Sequence, residues 1–208
     1  MKLHTTPAAV LQFWFGSDDA VDPRWFKGGP AFDELIRAEH GATVQAALAG
    51  ELDHWASQTS GADDVLALVI VLDQFTRNLF RGTPRAFAGD AQRLTLAQGL
   101  VSGGASGASG ASGSHLQLGL LQRWFAYLPF EHAEDRAQQA EAMRLLTALR
   151  DDALGIGHEA TMVGAWGYAR AHADVVDTYG RFPHRNAVIG RASSAAELAY
   201  LAQPGAGF

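Results

Sequence analysis

The chain contains no cysteine. That excludes disulfide staples, thiolate metal sites and thiol nucleophiles together, so any metal would need histidine and carboxylate ligands. Lysine is nearly absent as well: Lys2 and Lys27 stand against 14 arginines. No apolar run approaches the roughly 18 residues that a membrane-spanning helix needs; the longest, Val65 to Leu72, has the length of a core segment. A net charge of -6 excludes general affinity for nucleic acid, which depends on clustered cations. The N-terminal segment lacks a signal peptide's long apolar stretch, and the expected location is the cytoplasm. Neither a Gly-x-Gly-x-x-Gly fingerprint nor a P-loop occurs, and the Gly-rich tract lacks the strand and the Lys-Ser/Thr that a phosphate loop requires.

What is present is a 208-residue chain, 48% hydrophobic and 18% charged, with enough apolar surface for a sizeable core. Its apolar residues recur at helical spacing, and no strand or hairpin signal competes. Thr6-Pro7 reads as an N-cap with proline in the first turn of a helix closed by Gly16. Residues 17 to 29 read as a loop pinned by Trp25 and Phe26. Pro30 opens a second helix, with Gly41 as a candidate interruption. From Ala62 to Phe80 the pattern is apolar on all sides and predicts a central helix. Thr83-Pro84 reads as a further start, Leu116 to Leu128 as an amphipathic helix stopped by Pro129, and 133–149 as another helix. The stretch 158–179 is read as a helix with Met162, Val163, Trp166, Ala173 and Val176 inward, ended by Gly180; Ser194 and Glu197 spell a capping box for a last one. The expected fold is all-α: a single domain of seven or eight helices with a flexible Gly/Ala/Ser loop at 102–114.

Three polar clusters interrupt this apolar pattern: Asp73 to Asn78, Pro129 to Asp135, and Arg181 to Asn186. Burying such groups is costly unless they satisfy one another or face a shared wet site. Asp73 and Arg77 stand four apart on one helix face, so they either pair only with each other or present their charges to a ligand. Arg181, His184, Arg185 and Asn186 crowd a loop stiffened by Pro183. They read either as an anion receptor with an acid–base imidazole or as caps for carbonyls and acids. Glu134 and Asp135 suit the first turn of the next helix, whereas Glu131 and His132 have no such duty.

The assignment that follows makes His184, Glu131 and Asp73 the proton-handling groups. Arg77, Asn78, His132, Arg181, Arg185 and Asn186 are then the ligand-binding groups for a small anionic molecule. His132, His172 and His184 with Glu131 or Asp73 have the chemistry of a metal site, but no HExxH-type spacing supports one, and no metal or cofactor is assigned. The expected partners include neither nucleic acid nor membrane, and an oligomer is left open. Two rivals stand beside this reading: a helical scaffold that binds a peptide or protein partner, and polar clusters that serve helix packing alone.

The segments Phe13-Trp14-Phe15-Gly16, Leu72 to Phe87, Tyr127 to His132 and Gly180 to Asn186 resemble, in order, the signatures of a bacterial family known as domain of unknown function 924. The resemblance implies an all-helical, tetratricopeptide-like arrangement of antiparallel helix pairs around the central apolar helix, and brings no activity with it. Thr76 stands where that family usually carries proline, and the Gly-Ala-Ser stretch replaces a more ordinary connection.

Overall fold

The computed structural model describes residues 5–17, 20–102 and 113–207. Most of the Gly/Ala/Ser loop, residues 103–112, lies outside the described residues. The fold is all-α, with no strand among the described residues. No described helix is long and apolar enough to cross a membrane. The chain forms two compact units, Met1–Arg81 with Arg85–Pro129, and Gly82–Pro84 with Phe130–Phe208.

In the first unit, α1 (Pro7–Phe15) starts as its sequence dictates: the Thr6 hydroxyl accepts from the Ala9 N–H, and Gly16 follows the last turn. A single turn, α2 (Arg24–Lys27), buries Trp25, whose indole N–H donates to the Trp14 carbonyl at 2.7 Å. Its neighbour Phe26 is exposed, because a four-residue helix turns only one of two adjacent aromatics inward. Helix α3 (Gly29–Leu48) runs unbroken through Gly41, whose lack of a side chain costs a helix only about 1 kcal/mol, an amount the buried face of Phe32, Ile36, Val44 and Ala47 outweighs.

The centre of this unit is α4 (Ala62–Ile70), and from Leu66 to Leu72 no residue exposes any surface. The expected central helix does continue, but through a widened π-helical turn at Val71–Phe75 before α5 (Thr76–Leu79). Such turns carry one more residue than an α-turn and are frequent at functional sites. Side chains complete this one: the Thr76 hydroxyl donates to the Leu72 carbonyl at 2.7 Å and Arg77 Nη1 to the Asp73 carbonyl at 3.0 Å. The Thr76 hydroxyl thus supplies a donor within the widened turn.

The Thr83-Pro84 signal starts only a short 3₁₀ turn, Pro84–Phe87, and α6 (Asp90–Ser102) begins after Gly89. A methyl group on Gly89 would lie 2.5 Å from the Leu72 carbonyl oxygen, so the chain cannot hold a larger residue where it crosses the π-helical turn. Helix α7 (Leu120–Glu131) passes through Pro129 instead of stopping there. Proline costs a helix one N–H bond and a steric clash, but only the last turn is affected, and the Pro129 carbonyl is taken by Arg93 Nη1 at 3.0 Å. Aromatic rings fill the remaining volume, with Trp25 and Phe125 centroids 4.8 Å apart and Trp14 and Phe75 5.6 Å apart.

The second unit is built on α8 (Arg136–Asp152) and α9 (Glu159–Tyr179), which pack along each other. Thr147 meets Trp166 while Arg136 meets Asp177, so the pair is antiparallel. Asp135 caps α8 by accepting from the Gln138 N–H, as its position in the sequence suggested. Met162, Ala173 and Val176 face inward, but Val163 is exposed, since it precedes the buried Ala165 and Ala169 by a non-helical spacing. Gly180 adopts the left-handed φ of 71° that ends α9, and α10 (Ala195–Leu201) has the full Ser194/Glu197 capping box.

Substituting Gly89 by Ala is expected to destabilise the first unit by about 1–3 kcal/mol, the usual cost of forcing extra atoms into a packed interior. Gly164, on α9 with open space around its Cα, is the comparison: Gly164→Ala is expected to stabilise by about 0.5–1 kcal/mol. Urea denaturation of both variants reads the difference in sign.

Candidate functional site

The first polar cluster lies in the first unit, on the π-helical turn and α5. Asp73 is 1% exposed there. Its Oδ1 meets Arg77 Nη1 and Arg93 Nε, each at 2.9 Å, and its Oδ2 accepts from the Gln74 amide. Arg93, itself 1% exposed, also grips Asp90 through Nη2 at 3.1 Å, and Arg77 Nη2 lies 3.2 Å from the same carboxylate. Two guanidiniums and two carboxylates therefore neutralise one another within one unit. Burial pushes the Arg77 pKa down, Asp73 and Asp90 oppose that shift, and Arg93 adds to it. Asn78 is half-buried on α5. Arg93 and Asp90 fall outside the three sequence clusters; their i, i+3 spacing was the one sequence signal that could have drawn attention to them.

Apart from Pro129, which belongs to the first unit, the second and third clusters lie in the second unit, where they meet. Glu134 does not serve the first turn of α8. It accepts the Phe182 N–H at 2.7 Å and is clasped by Arg191, Nη1 to Oε2 at 2.6 Å and Nη2 to Oε1 at 2.7 Å. Burial raises the Glu134 pKa, but the Arg191 and Phe182 hydrogen bonds outweigh it and hold the carboxyl below its ordinary value. The position is too early in the chain to act as a cap once Asp135 takes that role, which frees it to tie the loop after α9 to the loop before α8.

In the third cluster the side chains divide. Arg181 makes a fork to Glu197, Nε to Oε1 at 2.6 Å and Nη2 to Oε2 at 2.9 Å, and Asn186 donates to Glu197 Oε1 at 3.3 Å and to Ser193 at 3.0 Å. Arg181, with the Ser194 N–H, holds the Glu197 carboxyl far below the usual carboxylate range. Arg185 and His184, on the 3₁₀ turn Pro183–Arg185, point elsewhere. The Arg185 guanidinium lies 4.6 Å from the Phe182 ring centre and donates through Nη2 to the His132 carbonyl at 2.9 Å. The His184 ring centre is 5.6 Å from that of Phe182.

The ring of His172 on α9 also lies edge-to-face against Phe182, with its centre 5.4 Å away. Its Nδ1 lies 2.8 Å from the Tyr168 carbonyl and 3.1 Å from Glu131 Oε1, and its ring centre is 5.9 Å from that of His132. A carbonyl can only accept, so Nδ1 carries the proton and the lone pair is on Nε2. Burial, joined by the neighbouring His132, Arg185 and His184, pushes the His172 pKa down to about 3 against the opposing Tyr168 carbonyl. The ring is neutral at physiological pH. Gln139, 1% exposed, fixes the chain here by donating to the Glu131 carbonyl at 2.6 Å and the Ala133 carbonyl at 2.7 Å. The structure thus brings Glu131, His132, His184 and Arg185 together around His172, which becomes the imidazole partner of Glu131. Arg181 and Asn186 are bound to Glu197, and Asp73 and Arg77 belong to the network of the first unit.

A further histidine escaped the sequence reading. His40 of α3 is 3% exposed, and neither ring nitrogen has a hydrogen-bond partner among the described residues. Phe13 packs edge-on at 4.5 Å and Phe75 at 5.0 Å, and burial pushes the His40 pKa down to about 4.

Residues 10–205 match the family described as bacterial protein of unknown function (DUF924). Among solved structures, the chain is similar to a protein of unknown function, ATU0120 from Agrobacterium tumefaciens. The two share 33% identity over 94% of this chain and 96% of that one, with a TM-score of 0.76. No curated protein matches the chain.

Two outcomes follow from the charges. Replacing Arg93 by Met strips Asp73, Asp90 and the Pro129 carbonyl of a buried donor, and is expected to cost about 3–5 kcal/mol in denaturant unfolding. Replacing Arg81, whose pair with Asp33 is solvent-exposed, is expected to cost less than about 1 kcal/mol. His40 titrates below its ordinary value of 6.5, so as the pH falls the unfolded chain takes up that proton first. The folded state therefore loses ground from about pH 6.5 down to about 4. At about 1.4 kcal/mol per pH unit the loss reaches up to about 3 kcal/mol, and His40→Leu is expected to flatten that part of the stability–pH curve.

Proposed function

As the chain belongs to the DUF924 family of bacterial proteins of unknown function, we propose its role from the site itself: it binds a small anionic molecule in the second unit and moves a proton on it. The observation that carries this reading is the meeting of Glu131, His132 and His172 with Arg185 and His184. Arg185 supplies a permanent positive charge in a fixed orientation against Phe182, suited to a carboxylate or phosphate. His172 supplies an oriented neutral imidazole: with Nδ1–H engaged by Tyr168 and Glu131, it stays uncharged at neutral pH and its low pKa suits it to positioning rather than to taking the proton. The proton-moving role in this proposal falls to His132 and His184, whose rings lie near His172 and Phe182 respectively.

Asp73, Arg77, Arg181 and Asn186 take structural roles in this proposal, because each is already engaged with protein partners of opposite polarity. A tetratricopeptide-like arrangement is part of the same proposal, supported by the antiparallel pair α8 and α9.

The test is isothermal titration of inorganic phosphate and of malonate into the wild type and into Arg185→Gln near neutral pH. Saturable binding of one of them by the wild type is expected, weakened about tenfold or more in the variant, equivalent to at least about 1.4 kcal/mol. Absence of binding to the wild type, or equal binding by a folded variant, would remove the anion site.

A further inference from the structure

We infer that Glu131, His132 and His172 form a binding site for a divalent transition metal of the zinc class. One ligand atom from each of the three lies within 4.8 Å of the other two. Zinc–nitrogen and zinc–oxygen bonds near 2.0–2.1 Å place tetrahedral ligand atoms about 3.3 Å apart, so closing the set on His172 Nε2 requires the Glu131 carboxylate to swing away from Nδ1, where its Oε1 lies at 3.1 Å. Two imidazoles and one carboxylate are a donor set that such ions favour over magnesium or calcium, which take oxygen ligands.

The surroundings have the form of a supporting shell around metal ligands. A histidine that binds metal through one nitrogen commonly donates its other N–H to a carbonyl, and His172 does this from Nδ1 to Tyr168 at 2.8 Å. Gln139 secures the carbonyls of Glu131 and Ala133 on either side of His132, and Arg185 Nη2 secures the carbonyl of His132 itself. The backbone that presents two of the three ligands is thereby fixed at three successive carbonyls. Phe182 provides an apolar wall against the His172 ring. Three protein ligands leave a fourth position for water or for an oxygen of the ligand, which is the pattern of catalytic and not of structural zinc. With one carboxylate, a divalent ion and the Arg185 guanidinium leave net positive charge, which a bound anion would neutralise.

This inference goes beyond the anion reading and does not depend on it. The experiment titrates Zn²⁺, and Co²⁺ as a spectroscopic substitute, into untagged full-length protein freed of metal with a chelator. One ion per chain is expected, with a cobalt spectrum of tetrahedral intensity. Glu131→Gln and His132→Asn are each expected to weaken binding at least tenfold, while His54→Asn, an exposed histidine of the other unit, leaves it unchanged. His132 is only half-buried, so its variant keeps the fold, as circular dichroism would verify. Failure of the wild type to take up one equivalent, or uptake with equal affinity by the folded Glu131→Gln and His132→Asn variants, overturns the site. Phosphate titrated into the metal-free protein reads the anion proposal separately: binding there without metal uptake removes only the metal.

Discussion

Asp73 is buried away from solvent, and a carboxylate in that condition persists only if donors stand ready around it. Arg77, Arg93 and Gln74 are those donors, and each comes with a demand of its own. Arg77 must reach back one turn, which it does while also donating to the Asp73 carbonyl in the π-helical turn. Arg93 must be buried with its charge, which requires Asp90 beneath it and the Pro129 carbonyl at its far end. Gly89 must be bare so that the start of α6 can come against Leu72 at all. The π-helical turn, the break before α6 and the passage of α7 through Pro129 are thus consequences of one desolvated charge. Networks of this kind contribute little net stability when complete and cost much when cut, so they specify an arrangement more than they strengthen it.

The second unit repeats the principle with different hubs. Glu197 gathers Arg181, Asn186 and the Ser194 N–H, and Glu134 gathers Arg191 and the Phe182 N–H. Together they set the backbone of the Arg181 to Asn186 loop from both ends. Its middle then has little freedom: Phe182 is fully buried, and Arg185 is laid across it. Two of the loop's polar residues are spent on holding it, and the other two, His184 and Arg185, are what it holds in place.

Legibility in the sequence followed the range of the interaction. Thr6-Pro7, Gly180 and the Ser194/Glu197 capping box act within four residues of themselves, so reading them one residue at a time was enough. The apolar surround of Val65 to Leu72 marked a central helix because burial on all faces leaves no periodicity to hide. What depended on distant partners was not legible. Pro129 looks like a stop until Arg93, 36 positions away, takes its carbonyl. Glu134 looks like first-turn dipole complement until Arg191, 57 positions away, closes on it. The clusters were visible as sites of unusual cost, but the sequence treated the Arg181 to Asn186 residues as one group, where the fold separates braces from presented groups. His172 was noticed for its chemistry and set aside for its spacing, since a ligand set drawn from two helices and a loop has no fixed interval in the chain.

The two polar centres also differ in what their composition can do. Around Asp73 the charges cancel pair by pair, and every donor there answers an acceptor whose burial required it. Around His172 there are one carboxylate, one guanidinium and three imidazoles. Burying an imidazole carries the desolvation cost of its ring nitrogens. A leucine or phenylalanine would fill the same space without that cost. Burial and the neighbouring His132, Arg185 and His184 keep His172 unprotonated at neutral pH by lowering its affinity for a proton. The first centre pairs charge with charge, whereas the second gathers imidazoles around one carboxylate and one guanidinium, the composition on which the proposed binding rests.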